Sequence, residues 1–220
     1  MPAFPFAIVG FDLDGTLLDT SRDLAAAANA ALAAGGRPPL PVEAVVARVG
    51  GGTRTMLEKV LQASGGATPA EVDRLLPVLL AHYQANMTVH TAPYPGTVAA
   101  LDALSARGVT LAVVTNKLER FSTALLRATG LLHRFACVIG GDTLAKGKPD
   151  PMPIHEMIRR CGGGHAAFVG DSIYDVQAAK AAGVPVVACR FGFSPDTVDA
   201  LGADAVIDGF DELVPALERL

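Results

Sequence analysis

The chain has 220 residues, half of them hydrophobic and 18% charged; this excludes a disordered chain, and a core of this size needs no disulfides or structural metal to fold. Eighteen Lys and Arg against 22 Asp and Glu give a net charge of −4 with no basic run, so nucleic acid is not an expected partner. No apolar stretch approaches the ~20 residues of a membrane span, and the start Met1–Gly15 lacks the charged n-region and cleavage site of a secretory signal, so the expectation is a cytoplasmic protein.

The first apolar run, Phe6–Phe11, reads as a buried strand. Directly after it come Asp12-Leu13-Asp14-Gly15-Thr16, two carboxylates two residues apart with a glycine that lets the chain turn. In an open parallel sheet ligands bind at the carboxyl ends of strands, which is where this segment falls. From Leu18 to Thr91 no strand is expected. Ala-rich Asp23–Ala34 reads as a helix with Ser21 as its N-cap. Thr68-Pro69-Ala70-Glu71 is a second helix start, with Thr68 as cap and Pro69 at the first helical position, opening a helix to about Asn86 that Pro77 should kink. Between them Val49–Arg54 is a Gly-rich loop of the kind that reaches a site, and Arg54 could hold a carboxylate in its planar fork.

After Thr91 short apolar runs alternate with helical stretches. Strands are expected at 109–114, 136–139, 166–169, 184–188 and 205–207. Helices are expected at 97–106, 119–129, 151–161, 173–182 and near 212–219, with Gly108, Gly130, Gly162 and Gly183 at their C-terminal ends. This alternation predicts an α/β fold, a Rossmann-like parallel sheet covered on both faces, interrupted by an all-helical insert. The core would be residues 1–17 and 92–220, the insert residues 18–91. Cys137, Cys161 and Cys189 form no CxxC and read as buried reduced thiols, and the five His show no metal-ligand spacing.

Three further strand ends carry chemistry. Val114 is followed by Thr115, Asn116 and Lys117, which supply a hydroxyl and an amide. Lys148, before Pro149-Asp150-Pro151, supplies a cation, with Lys146 a rival. Gly170 is followed by Asp171 and Ser172, and then by Asp175 one turn into a helix. Asp12, Asp14, Asp171 and Asp175 gathered at one sheet edge would repel strongly at low dielectric, and a divalent cation, Mg²⁺ by its taste for carboxylate, carbonyl and water ligands, resolves this. A hydroxyl, N–H groups and an ammonium beside the metal make a phosphate cradle.

In this order the four segments resemble the haloacid dehalogenase superfamily of phosphohydrolases. They are Asp12–Thr16, Thr115, Lys148 in Lys-Pro-Asp-Pro, and Gly170–Asp175. The helical insert resembles the family's C1 cap, and the overall look is that of its phosphoglycolate phosphatase-like branch. The resemblance implies Asp12 as nucleophile through an aspartyl-phosphate and Asp14 as general acid, then base. It implies Asp12, the Asp14 main-chain carbonyl and Asp171 as Mg²⁺ ligands, with Ser172 and Asp175 orienting the metal's waters from behind. Thr115 and Lys148, with Asn116, would bind the phosphoryl oxygens. The substrate it implies is 2-phosphoglycolate; alternatives are another sugar or amino-sugar phosphate, pyrophosphate, a β-phosphoglucomutase-like isomerisation, and a receiver-like phosphoacceptor module that is not an enzyme. The expected partner is a small phosphorylated metabolite, with the chain a monomer or homodimer.

Overall fold

In the computed structural model, which describes residues 4–193 and 195–220, the run Ile8–Phe11 forms β1 near the middle of a six-stranded sheet. Met1–Ala3, part of the start considered above, lie outside the described residues. In chain order the elements after β1 begin with β2 (Leu18–Asp19), α1 (Ser21–Ala34), α2 (Val42–Val46), α3 (Thr53–Ala63) and α4 (Pro69–Asn86). There follow β3 (Ala92–Pro93), α5 (Thr97–Ser105), β4 (Thr110–Val114), α6 (Glu119–Ala128), β5 (Cys137–Ile139) and α7 (Met152–Arg160). The chain closes with β6 (Ala166–Gly170), α8 (Ile173–Ala181), β7 (Val186–Cys189), β8 (Ala205–Ile207) and α9 (Leu213–Leu217).

The large sheet has the order β5-β4-β1-β6-β7-β8 with every pair parallel. From β1 the chain moves outward on one side to β4 and β5, then crosses to β6 and moves outward on the other. The strand order therefore reverses at β1, and the crevice for a ligand opens there, beyond the carboxyl ends of β4, β1 and β6.

Both faces are apolar, and the strand residues divide between them with period two. Val9, Phe11, Leu111, Val113, Ala167 and Val169 enter one cluster with Leu101, Leu125 and Leu213 from α5, α6 and α9. Ile8, Ala112, Val114, Ala166 and Phe168 enter the other, with Ile154 and Met157 of α7 and Val176 and Ala179 of α8. Gly10 lets α7 lie directly on β1, since a Cβ there would fall 2.2 Å from the Met157 sulfur. Four helices end with the same 6→1 main-chain bond, Val109 to Leu104, Leu131 to Leu126, Gly163 to Ile158 and Val184 to Ala179. The glycine expected at each of these ends has φ between 69° and 91°, a conformation that costs other residues about 1–2 kcal/mol.

Helices α1–α4 make an apolar cluster of their own, built on Leu24, Leu32, Leu57, Leu61, Leu75 and Leu79, with Phe121 of α6 joining from the other layer. The small Ala27, Ala28 and Ala31 of α1, all fully buried, allow the close approach of α4. Buried Asp23 near the start of α1 accepts hydrogen bonds from the His90 and Thr91 main chain and the Thr91 hydroxyl, at 2.8–3.1 Å, tying the two chain crossings together.

Several local expectations are corrected. Residues 18–19 do form a strand, pairing antiparallel with Ala92–Pro93 as a two-stranded ribbon between the helical layer and the sheet. Ser21 is the first residue of α1 rather than its cap; Thr20 takes the cap position but makes no capping bond, because its hydroxyl is donated to Asp14 at 2.7 Å. Helix α4 runs to Asn86 with Pro77 inside it, the extent expected, and is opened as expected by Thr68, whose hydroxyl accepts from the Glu71 N–H. Cys137 and Cys161, distant in sequence, are half-buried with their sulfurs 3.9 Å apart, and only Cys189 of the three is buried. No helix among the described residues is long and apolar enough to cross a membrane.

Candidate active site

Three strand ends meet at the reversal point of the sheet. Asp12 follows β1 and its main-chain N–H donates to Val169 of β6. Thr115 follows β4 and is anchored by its N–H to Ile139 of β5. Asp171 follows β6. A cleft of about 540 Å³, counted out to its open mouth, lies above them, lined by all three together with Asp14, Asn116, Lys117, Ser172 and Phe193. Its roof is the helical layer, through Leu24, Met56 and the loop residues Val49, Gly50, Gly52 and Thr53. The Gly-rich loop reaches the cleft as its sequence suggested.

The floor is an acidic cluster. Among the described residues, Asp12, Asp171 and Asp175 each present a carboxylate oxygen within 4.8 Å of the others, and all three are buried. Burial pushes the Asp12 carboxyl up to about 6, with Lys148 opposing and Asp175 and Asp14 adding to the shift. Burial, then repulsion from Asp175 and Asp12, holds Asp171 well above the usual carboxylate range.

The three acids are differently engaged. Asp175 is occupied: Oδ1 accepts from Lys148 Nζ at 2.6 Å, and Oδ2 accepts from the Ser172 hydroxyl at 2.6 Å and the Ser172 N–H at 3.0 Å, forming the capping box of α8. Asp171 accepts from the Phe193 N–H at 2.7 Å and, more weakly, from the Thr16 hydroxyl at 3.3 Å. Asp12 Oδ1 is buried and accepts no hydrogen bond, although Lys148 Nζ lies 2.9 Å away as an ion-pair partner. A buried carboxylate oxygen whose one partner is the Lys148 ammonium, facing a second acid held above its usual range, is a donor set that suits a further cation. Asp12 and Asp171 therefore have room for a metal, while Asp175 is committed behind them. The fit extends to the backbone: Gly192 is obligatory, since a Cβ there would meet the Asp171 Cβ at 2.3 Å and the Gly15 carbonyl at 2.6 Å.

Lys148 is buried and directed inward, its third bond going to the Val114 carbonyl at 2.8 Å; the Lys148–Pro149 peptide is cis. Lys146, the sequence rival, instead pairs with Asp150 on the surface. Asn116 lines the cleft, but its amide is fully engaged. It donates to the Gly50 carbonyl of the roof at 2.9 Å and to the Lys148 carbonyl at 2.8 Å, and accepts from the Lys148 N–H at 2.8 Å. It positions Lys148 and the loop. Arg54 is not brought to the site: it sits on the outside of the helical layer, paired with Asp73 and, at 3.5 Å, with Glu58 of its own helix. The side chain one residue before it, Thr53, lines the cleft instead, because neighbouring residues at a helix start point in different directions.

The residue missing from the sequence reading is Lys117. Its ammonium lies 2.9 Å from both oxygens of Asp14 and 4.4 Å from the ring centre of Tyr83 on α4, with its side chain 4% exposed. Its position two residues after Thr115, just past the end of β4, was the available signal; a lysine is so seldom buried that it reads as surface.

The haloacid dehalogenase-like hydrolase family model matches residues 9–189. A phosphoglycolate phosphatase of Agrobacterium fabrum is 42% identical over 219 residues, spanning 98% of this chain and 93% of its own length. One of Mesorhizobium japonicum is 43% identical over 217 residues, spanning 97% and 96%. The crystal structure of a predicted phosphoglycolate phosphatase from Haemophilus somnus superimposes with a TM-score of 0.89 at 30% identity, covering 96% of this chain and 97% of that one.

Proposed function

Because this chain belongs to the haloacid dehalogenase-like hydrolase family, we propose that it is a Mg²⁺-dependent phosphatase that cleaves 2-phosphoglycolate to glycolate and phosphate through an aspartyl-phosphate. The observation that carries the reading is the single cleft in which Asp12, Asp14, Thr115 and Asp171 converge over buried Lys148. Relatives about 40% identical over nearly the whole chain bear the phosphoglycolate phosphatase name.

In this reading Asp12 attacks phosphorus. Its Oδ1 is held by the Lys148 ammonium at 2.9 Å, which orients the carboxylate. Asp14 gives a proton to the departing alcohol oxygen and later takes one from the attacking water. Thr115 donates its hydroxyl to a phosphoryl oxygen, and Lys148 neutralises charge developing on Asp12 and the phosphoryl group. Asp12, Asp171 and the Asp14 main-chain carbonyl would hold Mg²⁺, which when bound supplies positive charge to the phosphoryl oxygens. Ser172 and Asp175 orient this set, and Asn116 fixes Lys148. Arg54 has no part in substrate binding. Positioning and charge neutralisation must supply most of a very large barrier reduction, since uncatalysed monoester hydrolysis is among the slowest known reactions.

We assign residues 18–91 as a cap that closes over a core of residues 1–17 and 92–220, moving about the β2–β3 ribbon to exclude water. The test of substrate is phosphate release with Mg²⁺ across 2-phosphoglycolate, pyrophosphate, and sugar and amino-sugar phosphates. A preference of about 100-fold in kcat/KM for 2-phosphoglycolate, about 2.7 kcal/mol of transition-state discrimination, supports the assignment. A flat profile or another preferred ester removes it.

A further inference from the structure

Among the described residues that line the cleft, Lys117 is the one cation, and in this structure it is held by Asp14. That pairing poses a problem for the proposed reaction. Both Asp14 oxygens accept from Lys117 at 2.9 Å, and Oδ1 also accepts from the Thr20 hydroxyl at 2.7 Å. A carboxylate fully engaged in this way is not available to the ester oxygen. The cleft poses a second problem. A substrate that carries a carboxylate besides its phosphate must place it in a site already walled by Asp12, Asp14 and Asp171, where an unpaired anion is costly. Arg54, the cation that could have received it, faces away.

One exchange resolves both. Resting on the phosphatase reading above, we propose that Lys117 is the specificity-determining residue of the cleft. The substrate's carboxylate displaces Asp14 from the Lys117 ammonium, and the released Asp14 takes up a proton from solvent and turns to the ester oxygen. The Tyr83 ring, 4.4 Å from the ammonium and contributed by the helical layer, holds the cation in place whichever carboxylate it pairs with. A phosphoester with an uncharged tail cannot make the exchange, and it leaves Asp14 locked. The residue thus selects phosphoesters whose alcohol carries an anion, and couples that recognition to release of the proton-transfer group.

The experiment compares 2-phosphoglycolate with its primary amide, an uncharged tail of nearly the same shape, in the wild-type enzyme and in Lys117→Gln and Lys117→Arg, with circular dichroism and a thermal melt confirming the fold. Because Lys117 touches Asp14, both rates change in the variants; the readout is the ratio of the two kcat/KM values. A charged hydrogen-bonding pair is worth roughly 10- to 100-fold. The wild-type ratio should fall by that factor in Lys117→Gln and survive largely in Lys117→Arg. An unchanged ratio in Lys117→Gln overturns the proposal and moves the carboxylate elsewhere in the cleft. A wild-type enzyme that does not favour the charged tail overturns the phosphoglycolate reading itself. If the Lys117 variants do not fold, Asp14→Asn tests the same exchange by calorimetric binding. With its competitor gone, Lys117 should bind 3-phosphonopropionate, relative to propylphosphonate, at least about 10-fold more tightly than in the wild type. No change in that relative affinity overturns the proposal.

Discussion

Replacing Asp12 by asparagine should abolish turnover and at the same time stabilise the metal-free protein. The Asp12 carboxyl is raised from an ordinary 3.8 to about 6, chiefly by burial. At about 1.36 kcal/mol for each tenfold change in proton affinity, that corresponds to up to about 3 kcal/mol withheld from folding at neutral pH. The sign follows from linkage. A carboxyl whose folded-state pKa lies above its unfolded value contributes stability that is fully present below about pH 4 and lost as pH rises through about 6. An amide carries no charge to desolvate, and Lys148 keeps its bonds to Asp175 and the Val114 carbonyl. The weaker contact that an amide makes with Lys148 subtracts from the gain. Asp12→Asn should therefore be worth about 1–3 kcal/mol, or roughly 3–10 °C in Tm for a chain of this size. Calorimetry in EDTA at pH 7.5 reads the gain directly, and repeating it at pH 4 should show it nearly gone. Added Mg²⁺ should stabilise the wild type more than the variant. A variant less stable than wild type in EDTA at pH 7.5 would refute the electrostatic reading of the acidic floor.

Three further outcomes follow from the same geometry. Lys148→Met leaves Asp12, Asp171 and Asp175 buried without their cation and should cost about 3–5 kcal/mol of folding free energy in EDTA, read by urea denaturation; a loss below about 1 kcal/mol would mean that Lys148 does not balance the cluster. Arg54→Ala should leave kcat/KM for 2-phosphoglycolate within about twofold of wild type, since only surface ion pairs are lost; a drop of tenfold or more would return Arg54 to the substrate site. Gly192→Ala places a methyl group 2.3 Å from the Asp171 Cβ and should weaken Mg²⁺ binding by about 10-fold or more, measured by calorimetry; unaltered affinity would exclude Asp171 from the metal set.

Much of this site was legible because its residues sit directly after apolar strand runs. Asp12, Thr115 and Asp171 each follow a β-strand whose neighbours in the sheet are fixed by parallel α/β topology, so proximity in space could be inferred from position in the motif. Lys148 was legible by its Pro-Asp-Pro context, although not its burial. What stayed hidden depends on tertiary direction. Arg54 and Thr53 are adjacent in sequence, yet the start of α3 turns one outward and the other into the cleft. Ser21 was expected to cap α1, but Thr20 holds the cap position and its hydroxyl serves Asp14 across the turn. Lys117 pairs with a carboxylate 103 positions away, and the two half-buried thiols meet only because β5 and the end of α7 are neighbours. The β2–β3 ribbon is two residues a side, too short to carry a periodic signal.

The central claim is that the phosphoryl group passes through Asp12. Borohydride added to the enzyme during turnover of 2-phosphoglycolate with Mg²⁺ reduces an aspartyl-phosphate to homoserine, and peptide mass spectrometry locates the change. The account predicts homoserine at position 12, dependent on substrate. Turnover with position 12 unmodified and another residue labelled, or none, would contradict it.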